Sequence, residues 1–202
     1  MAKKNILAIN TTLETCTVII AKNSTILAKD EVIASKGHSE ILLPLISKSL
    51  KSSNLDITQI DGFAVCTGPG NYTSLRIAIS TIRGLSLSCN KPAVGISLFE
   101  ILMTNHYKGL VIIKGPMEKI YVQEFSNNFL VGVPKLKSVA DIKKNNKFLE
   151  HAIIGYDAIR IADELGCLDS LEVTKISPDR FILLSLERFS YDNPRPAPIY
   201  IK

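Results

Sequence analysis

Hydrophobic and polar positions divide the chain into short apolar runs followed by helical periodicities. Residues 5–10 form a compact apolar run and predict a buried strand. Residues 15–22 are rich in β-branched side chains, and residues 25–33 alternate. Turn-forming segments at 11–14 and 22–24 separate them, which predicts an antiparallel meander. A strand parallel to the first then requires a crossover helix. Residues 37–53 supply it, with Ile41, Leu42, Leu43, Leu45, Ile46 and Leu50 covering more of the circumference than one buried stripe needs. Pro44 inside it predicts a kink or the first turn of the main segment. Next come a buried strand at 62–67 and a loop of turn formers, Gly68-Pro69-Gly70-Asn71. A helix over 72–88 follows, its Leu75, Ala78, Ile79, Ile82 and Leu85 recurring at helical spacing. Lys91-Pro92 breaks the chain before a strand at 93–96 and a helix at 98–105.

A second round begins near Leu110, with strands at 110–114, 119–125, 130–133 and 152–155. Helices at 158–165 and 181–188 follow, and the Pro-rich stretch Asn193-Pro-Arg-Pro-Ala-Pro198 must be extended. The order is strand-strand-strand-helix-strand-helix and then a reduced second copy. It predicts an α/β chain of the actin, sugar-kinase and heat-shock ATPase superfamily, an actin-like two-lobe fold whose RNase H-like lobes hold mixed sheets. The expected N-terminal lobe covers 1–105 and carries the long helices. The reduced C-terminal lobe covers 106–202. No low-complexity or repeated segment stands out in the sequence itself.

At 202 residues the chain has room for one domain or two small lobes. A chain of this size buries roughly 70% of its unfolded surface, so it needs no disulfide or structural metal. Its 46% hydrophobic content is that of a soluble domain, and no apolar stretch approaches a membrane span. The net charge of +5 permits contact with a polyanion without demanding it. Lysines gather at Lys135, Lys137, Lys143, Lys144 and Lys147, but no aromatics interleave for base stacking, so they read as a solvated face. Cys16, Cys66, Cys89 and Cys167 are too far apart in sequence for a zinc knuckle or redox pair. They read as small buried hydrophobes in a reducing compartment. The first apolar run is too short for a signal peptide, which predicts a cytoplasmic chain without a membrane partner.

Residues 68–85 carry the densest information: a strand end, a glycine loop and a helix N-terminus in succession. Free backbone N–H groups at such a terminus can receive an anion, which makes Gly68, Gly70 and Asn71 candidates for a phosphate or nucleotide loop. A structural turn looks the same, and neither the P-loop lysine nor the G-x-G-x-x-G spacing is present. Beside the core stripe of the helix runs a second line of mostly small residues, Ser74, Ile77, Thr81, Gly84 and Ser88. Small residues let a second helix backbone approach closely. Together with surplus apolar surface at Leu42, Leu45 and Ile46 they predict a helical-bundle interface with a partner. Packing of that face inside the chain's own fold is the alternative. Arg76 and Arg83, seven apart on one helix face, suit partner carboxylates, RNA phosphate or plain exposure.

The same segment resembles the motif Gly-Pro-Gly-Ser-Phe-Thr-Gly-Leu-Arg-Ile-Gly of the TsaB family, accessory paralogues of the threonylcarbamoyl transferase TsaD. Ile9-Asn10-Thr11-Thr12 is similar to the Asp-Thr-Ser that ends the family's first strand. His38-Ser-Glu-Ile-Leu-Leu-Pro44 resembles its His-to-Leu-Leu-Pro helix, and Pro198-Ile-Tyr200-Ile-Lys202 its Pro-x-Tyr-Leu-Arg ending. The first half matches throughout, the second mainly in strand pattern and tail. The resemblance implies a cytoplasmic, non-catalytic scaffold and activator that pairs with TsaD through its first two long helices. A TsaE-type ATPase joins the pair, and together they place threonylcarbamoyl on the adenosine beside the anticodon of tRNA. It also implies no cofactor on this chain, ATP and metal on the partner subunits, and tRNA contact through the complex; the spare helix surface itself suits a homodimer when the partner is absent.

Departures from the family pattern point the same way. Asn10 stands where the family has Asp, and an amide cannot act as a general base. Lys114-Gly-Pro116 stands where Asp-Ala-Arg is frequent, and Ser74 and Ala78 replace glycines. These predict no catalytic residue and no metal site. Two enzymatic alternatives remain as readings. A metallopeptidase needs paired helix histidines and a carboxylate, yet the residue four past His38 is Leu42. His106 and His151 have no second histidine near them in sequence. An autonomous actin-like ATPase needs acidic residues where Asn10 and Lys114 stand.

Overall fold

A computed structural model of the chain describes residues 4–34, 37–103, 108–144, 151–167, 169–189 and 195–201. Asn105, His106, Lys147, Asn193, Pro194 and Lys202 lie outside the described residues. The opening apolar runs become β1 (Asn5–Asn10), β2 (Thr15–Lys22) and β3 (Thr25–Ile33), with the bounds that their polarity pattern predicts. A long helix, α1 (His38–Ser52), carries the chain back across the sheet and continues through Pro44. A 3₁₀ turn, Ile57–Gln59, follows, held by a capping box between Asp56 and Gln59. Then come β4 (Gly62–Cys66), α2 (Tyr72–Cys89) and β5 (Ala93–Ile96).

These five strands lie in the order β3-β2-β1-β4-β5. The first three pair antiparallel, while β4 and β5 run parallel to β1. The central strand β1 is buried from Ile6 to Asn10, so its side chains face packed elements on both sides. Leu7, Ile9 and Val65 from the sheet pack in one cluster with Leu42, Leu45 and Ile46 of α1. Ala78, Ile79 and Ile82 of α2 complete that cluster. Each such buried side chain contributes roughly 1.5–3 kcal/mol.

After α3 (Leu98–Leu102) the plan repeats. The strands β6 (Lys108–Lys114), β7 (Ile120–Ser126) and β8 (Phe129–Lys137) form a second antiparallel meander. Next come α4 (Val139–Lys143), β9 (Ala152–Gly155), α5 (Ala158–Leu165), β10 (Ser170–Glu172) and α6 (Pro178–Arg188). The second sheet has the order β10-β9-β6-β7-β8, with β9 and β10 parallel to β6. Read from β8 inward, it is the same arrangement as the first sheet with every helical crossover shortened. The short elements α4 and β10 and the full length of β8 are not foreseen from the hydrophobic pattern.

Two compact units result: Met1–Leu98 with Ser177–Ile199, and Phe99–Ile176 with Tyr200–Lys202. The last helix α6 thus belongs to the first unit, where Phe181 and Ile182 are buried. The tail is tied there too, because the Ile199 N–H donates to the Thr67 carbonyl at 3.0 Å. Among the described residues no helix is long and apolar enough to cross a membrane.

Candidate functional site

Every residue singled out by the sequence for the site lies on α1, on α2 or in the loop before α2, all in the first unit. The loop is held by the turn between β1 and β2. The Thr11 hydroxyl donates to the Ser74 carbonyl, and the Ser74 hydroxyl donates back to the Thr11 carbonyl, each at 3.1 Å. Gly70 lies so close to this turn that a Cβ there would stand 3.0 Å from Thr12 Cγ2. Gly68 has a φ of 90°, in the region that favours glycine. Its carbonyl accepts from the Leu98 N–H at 2.7 Å.

Asn71 is the N-cap of α2. Its Oδ1 accepts from the Thr73 and Ser74 N–H groups at 3.0 and 3.1 Å. Those are two of the donors that a phosphate at this terminus would use. Pro69 has no N–H to offer. A phosphate bound at Gly68, Gly70 and Asn71 would therefore have to displace the helix's own cap.

Asn10 is fully buried, and both ends of its amide are engaged. Its Oδ1 accepts from the Thr12 N–H at 3.2 Å and the Thr12 hydroxyl at 2.6 Å, while Nδ2 donates to the Thr12 carbonyl at 3.3 Å. The side chain serves as a brace for the turn. His38 at the start of α1 is buried, and among the described residues its Nε2 has no hydrogen-bond partner. Burial pushes its pKa below the usual histidine value, so the ring is neutral at neutral pH. Among the described residues no three His, Cys, Asp or Glu side chains gather in a way that would hold a metal ion. All four cysteines are free, and burial pushes the Cys16 thiol up to about 11, far from a reactive thiolate.

The residues expected at a partner interface divide into two groups. Leu42, Leu45 and Ile46 face the sheet and belong to the unit's own core. Ser74 is buried by its exchange with Thr11. These four are taken up internally, so the expectation that they face a partner is corrected. Arg76, Arg83, Gly84 and Ser88 are exposed, and Ile77 and Thr81 are half-buried. Arg76 lies over the Tyr72 ring, 3.8 Å from its centre. Gly84 sits mid-helix, and among the described residues beyond its own turn no atom lies within 4 Å of where a Cβ would be.

Two exposed apolar residues stand outside the set expected at the interface, Leu87 on α2 and Leu43 on α1. Leu87, 77% exposed, lies three residues past Gly84, and Leu43 on α1 is 58% exposed. Their signal was present as helical spacing, Leu87 standing at i+3 and i+4 from Gly84 and Arg83. Nothing in the sequence distinguishes such residues from core leucines until the sheet is placed.

The family model described as TsaD, tRNA N6-adenosine threonylcarbamoyltransferase, matches residues 30–151. A protein from Buchnera aphidicola subsp. Schizaphis graminum named tRNA threonylcarbamoyladenosine biosynthesis protein TsaB is 31% identical, covering 69% of this chain and 70% of its own. The TsaB protein from Buchnera aphidicola subsp. Baizongia pistaciae is 34% identical, covering 73% of this chain and 69% of its own. The chain belongs to the TsaB family. The solved structure of YeaZ from Pseudomonas aeruginosa covers 98% of this chain and 100% of its own, with a TM-score of 0.73 at 18% identity. That likeness shows the fold, and the two mixed sheets are the α/β, actin-like architecture that the order of elements predicts. In this TsaB-family chain the first strand ends on an internally bonded Asn10. Its glycine loop leads into a helix capped by Asn71.

Proposed function

We propose that this chain is a non-catalytic scaffold and activator in tRNA threonylcarbamoyladenosine biosynthesis, and that it pairs with a TsaD-type catalytic subunit through the exposed face of α2 and the neighbouring surface of α1. A TsaE-type ATPase joins the assembly, and tRNA is met through the complex. ATP and metal belong to the partner subunits. In the absence of its partner the chain pairs with a second copy through the same face.

The observation that carries this reading is Gly84 beside Leu87. A glycine in a helix interior costs roughly 1 kcal/mol relative to alanine. Among the described residues beyond its own turn of helix, no atom lies close enough to require the missing side chain. A second helix crossing there would gain the close approach that Gly84 allows and would cover Leu87, an exposed apolar anchor of the kind found at interface centres. Arg76 and Arg83 flank that contact as polar rim residues. Against an autonomous ATPase stands the buried, fully engaged amide of Asn10. Against a metallopeptidase stands the burial of His38 against the first unit.

Substitution of Gly84 by Leu fills the open space without touching the core. Gly84→Leu is expected to abolish co-elution with the TsaD-type subunit while the chain alone melts at or above the wild-type temperature. Retained co-elution at wild-type affinity contradicts the proposed interface.

A further inference from the structure

A cleft of about 490 Å³ lies at the C-terminal end of α2, in the first unit. Arg83, Lys91 and Arg195 line it, with Asn90, Leu87 and Pro92 between them. Among the described lining residues none is acidic. Lys91 has one counter-ion, Asp61, at 3.6 Å.

Cations near a helix C-terminus have an ordinary explanation, since the last carbonyls carry roughly half a negative charge. Here that end is already closed by the backbone. Asn90 takes the left-handed conformation with a φ of 52°, and its N–H donates to the Leu87 and Ser86 carbonyls. The Lys91 N–H also donates to the Ser86 carbonyl, and the Ser86 hydroxyl donates to the Lys91 carbonyl at 2.5 Å. Among the described residues the Arg83 and Arg195 guanidiniums make no hydrogen bond to those carbonyls. Three positive side chains around one concavity focus a field that attracts anions. Guanidinium forks match phosphate oxygens in pairs, and Pro92 offers an apolar surface for a ribose or base.

We infer that this cleft is a phosphate-binding site, taking the phosphate of a nucleotide or of an RNA backbone. The inference goes beyond the scaffold reading; Arg83, Gly84 and Leu87 belong both to this cleft and to the proposed interface, so the test uses the chain without partners. Two of the three cations, Lys91 and Arg195, lie outside the helix that carries the proposed interface.

The test titrates the full chain, without partners, with ATP and separately with unmodified tRNA at several salt concentrations. It compares wild type with Arg83→Gln/Arg195→Gln and with Lys22→Gln, a control at the exposed end of β2. The double variant is expected to weaken binding of at least one ligand tenfold or more, with the control unchanged. Loss of ATP binding assigns a free nucleotide; loss of tRNA binding alone assigns the RNA backbone, with a salt slope reduced by about two. Unaltered melting shows that the double variant is folded, and Arg195→Gln alone, on the tail, serves if it is not. Wild-type failure to bind either ligand at millimolar concentration, or equal binding by all variants, overturns the inference.

Discussion

Leu42, Leu45, Ile46 and Ser49 recur at i, i+3, i+4 and i+7, the spacing of a stripe that a helix turns toward its own core. Reading part of that stripe as a partner surface went wrong because α1 is apolar beyond one stripe. Sequence spacing shows that a surplus exists but not which residues form it. The sheet decides, leaving Leu43 outside and Leu45 inside. Truncating Leu45 therefore acts on folding. Leu45→Ala is expected to destabilise the chain alone by about 2–5 kcal/mol, measured by urea unfolding without any partner. A loss confined to pairing, with unfolding unchanged, contradicts its place in the core. Other residues are legible in type but not in role. Asn10 stands where the family resemblance implies an Asp, and its use as a brace for Thr12 depends on turn geometry. Asn71 was assigned to a ligand loop, yet a side chain of this kind just before a helical run is equally the sign of an N-cap.

At the scale of elements, most of the first unit was written in the polarity pattern. The bounds of β1, β2, β3 and β5 follow from apolar runs and turn formers, because these strands are long or buried enough for burial to dominate. In the second unit the same pattern locates β9 and α5, but not α4 and β10. The strand β10 is three residues long and owes its existence to pairing with β9. Its Glu172 carboxylate accepts the Asp157 and Ala158 N–H groups at 2.7 and 2.6 Å and so caps α5 from fourteen or more residues away. Such a contact leaves no local signature. The helix α4 did leave one, Ser138 three residues before Asp141, with the hydroxyl accepting from the Asp141 N–H at 3.1 Å.

A comparable long-range contact fixes α1 to the sheet edge. The Asp30 carboxylate on β3 accepts from Lys48 Nζ at 2.6 Å and from the buried Ser49 hydroxyl at 2.8 Å. Hydrogen bonds from these two groups hold the Asp30 carboxyl below the usual carboxylate range. A carboxylate with a depressed folded pKa stabilises the protein above its unfolded pKa, near 4. That contribution is lost as pH falls through the lower folded value. The stability of the wild-type chain should therefore fall below about pH 4. Asp30→Asn should begin lower at pH 7 and show a shallower acid limb in denaturation curves. An identical acid limb in both proteins contradicts this account.

For the molecule as a whole, the topology shows one plan used twice. The first unit keeps long crossovers and the exposed face of α2, while the second carries the same strand order with short helices. That economy suits a subunit whose working surface lies on the first unit. As proposed above, this chain is needed for threonylcarbamoyl transfer without performing it. The most direct measurement is a reconstitution with the TsaD-type and TsaE-type subunits of the same organism, following transfer to tRNA with this chain present, absent and alone. The account predicts transfer only when this chain accompanies its partners, and none from the chain by itself. Transfer that proceeds equally without it, or consumption of the threonylcarbamoyl donor or ATP by the chain alone, would contradict the account.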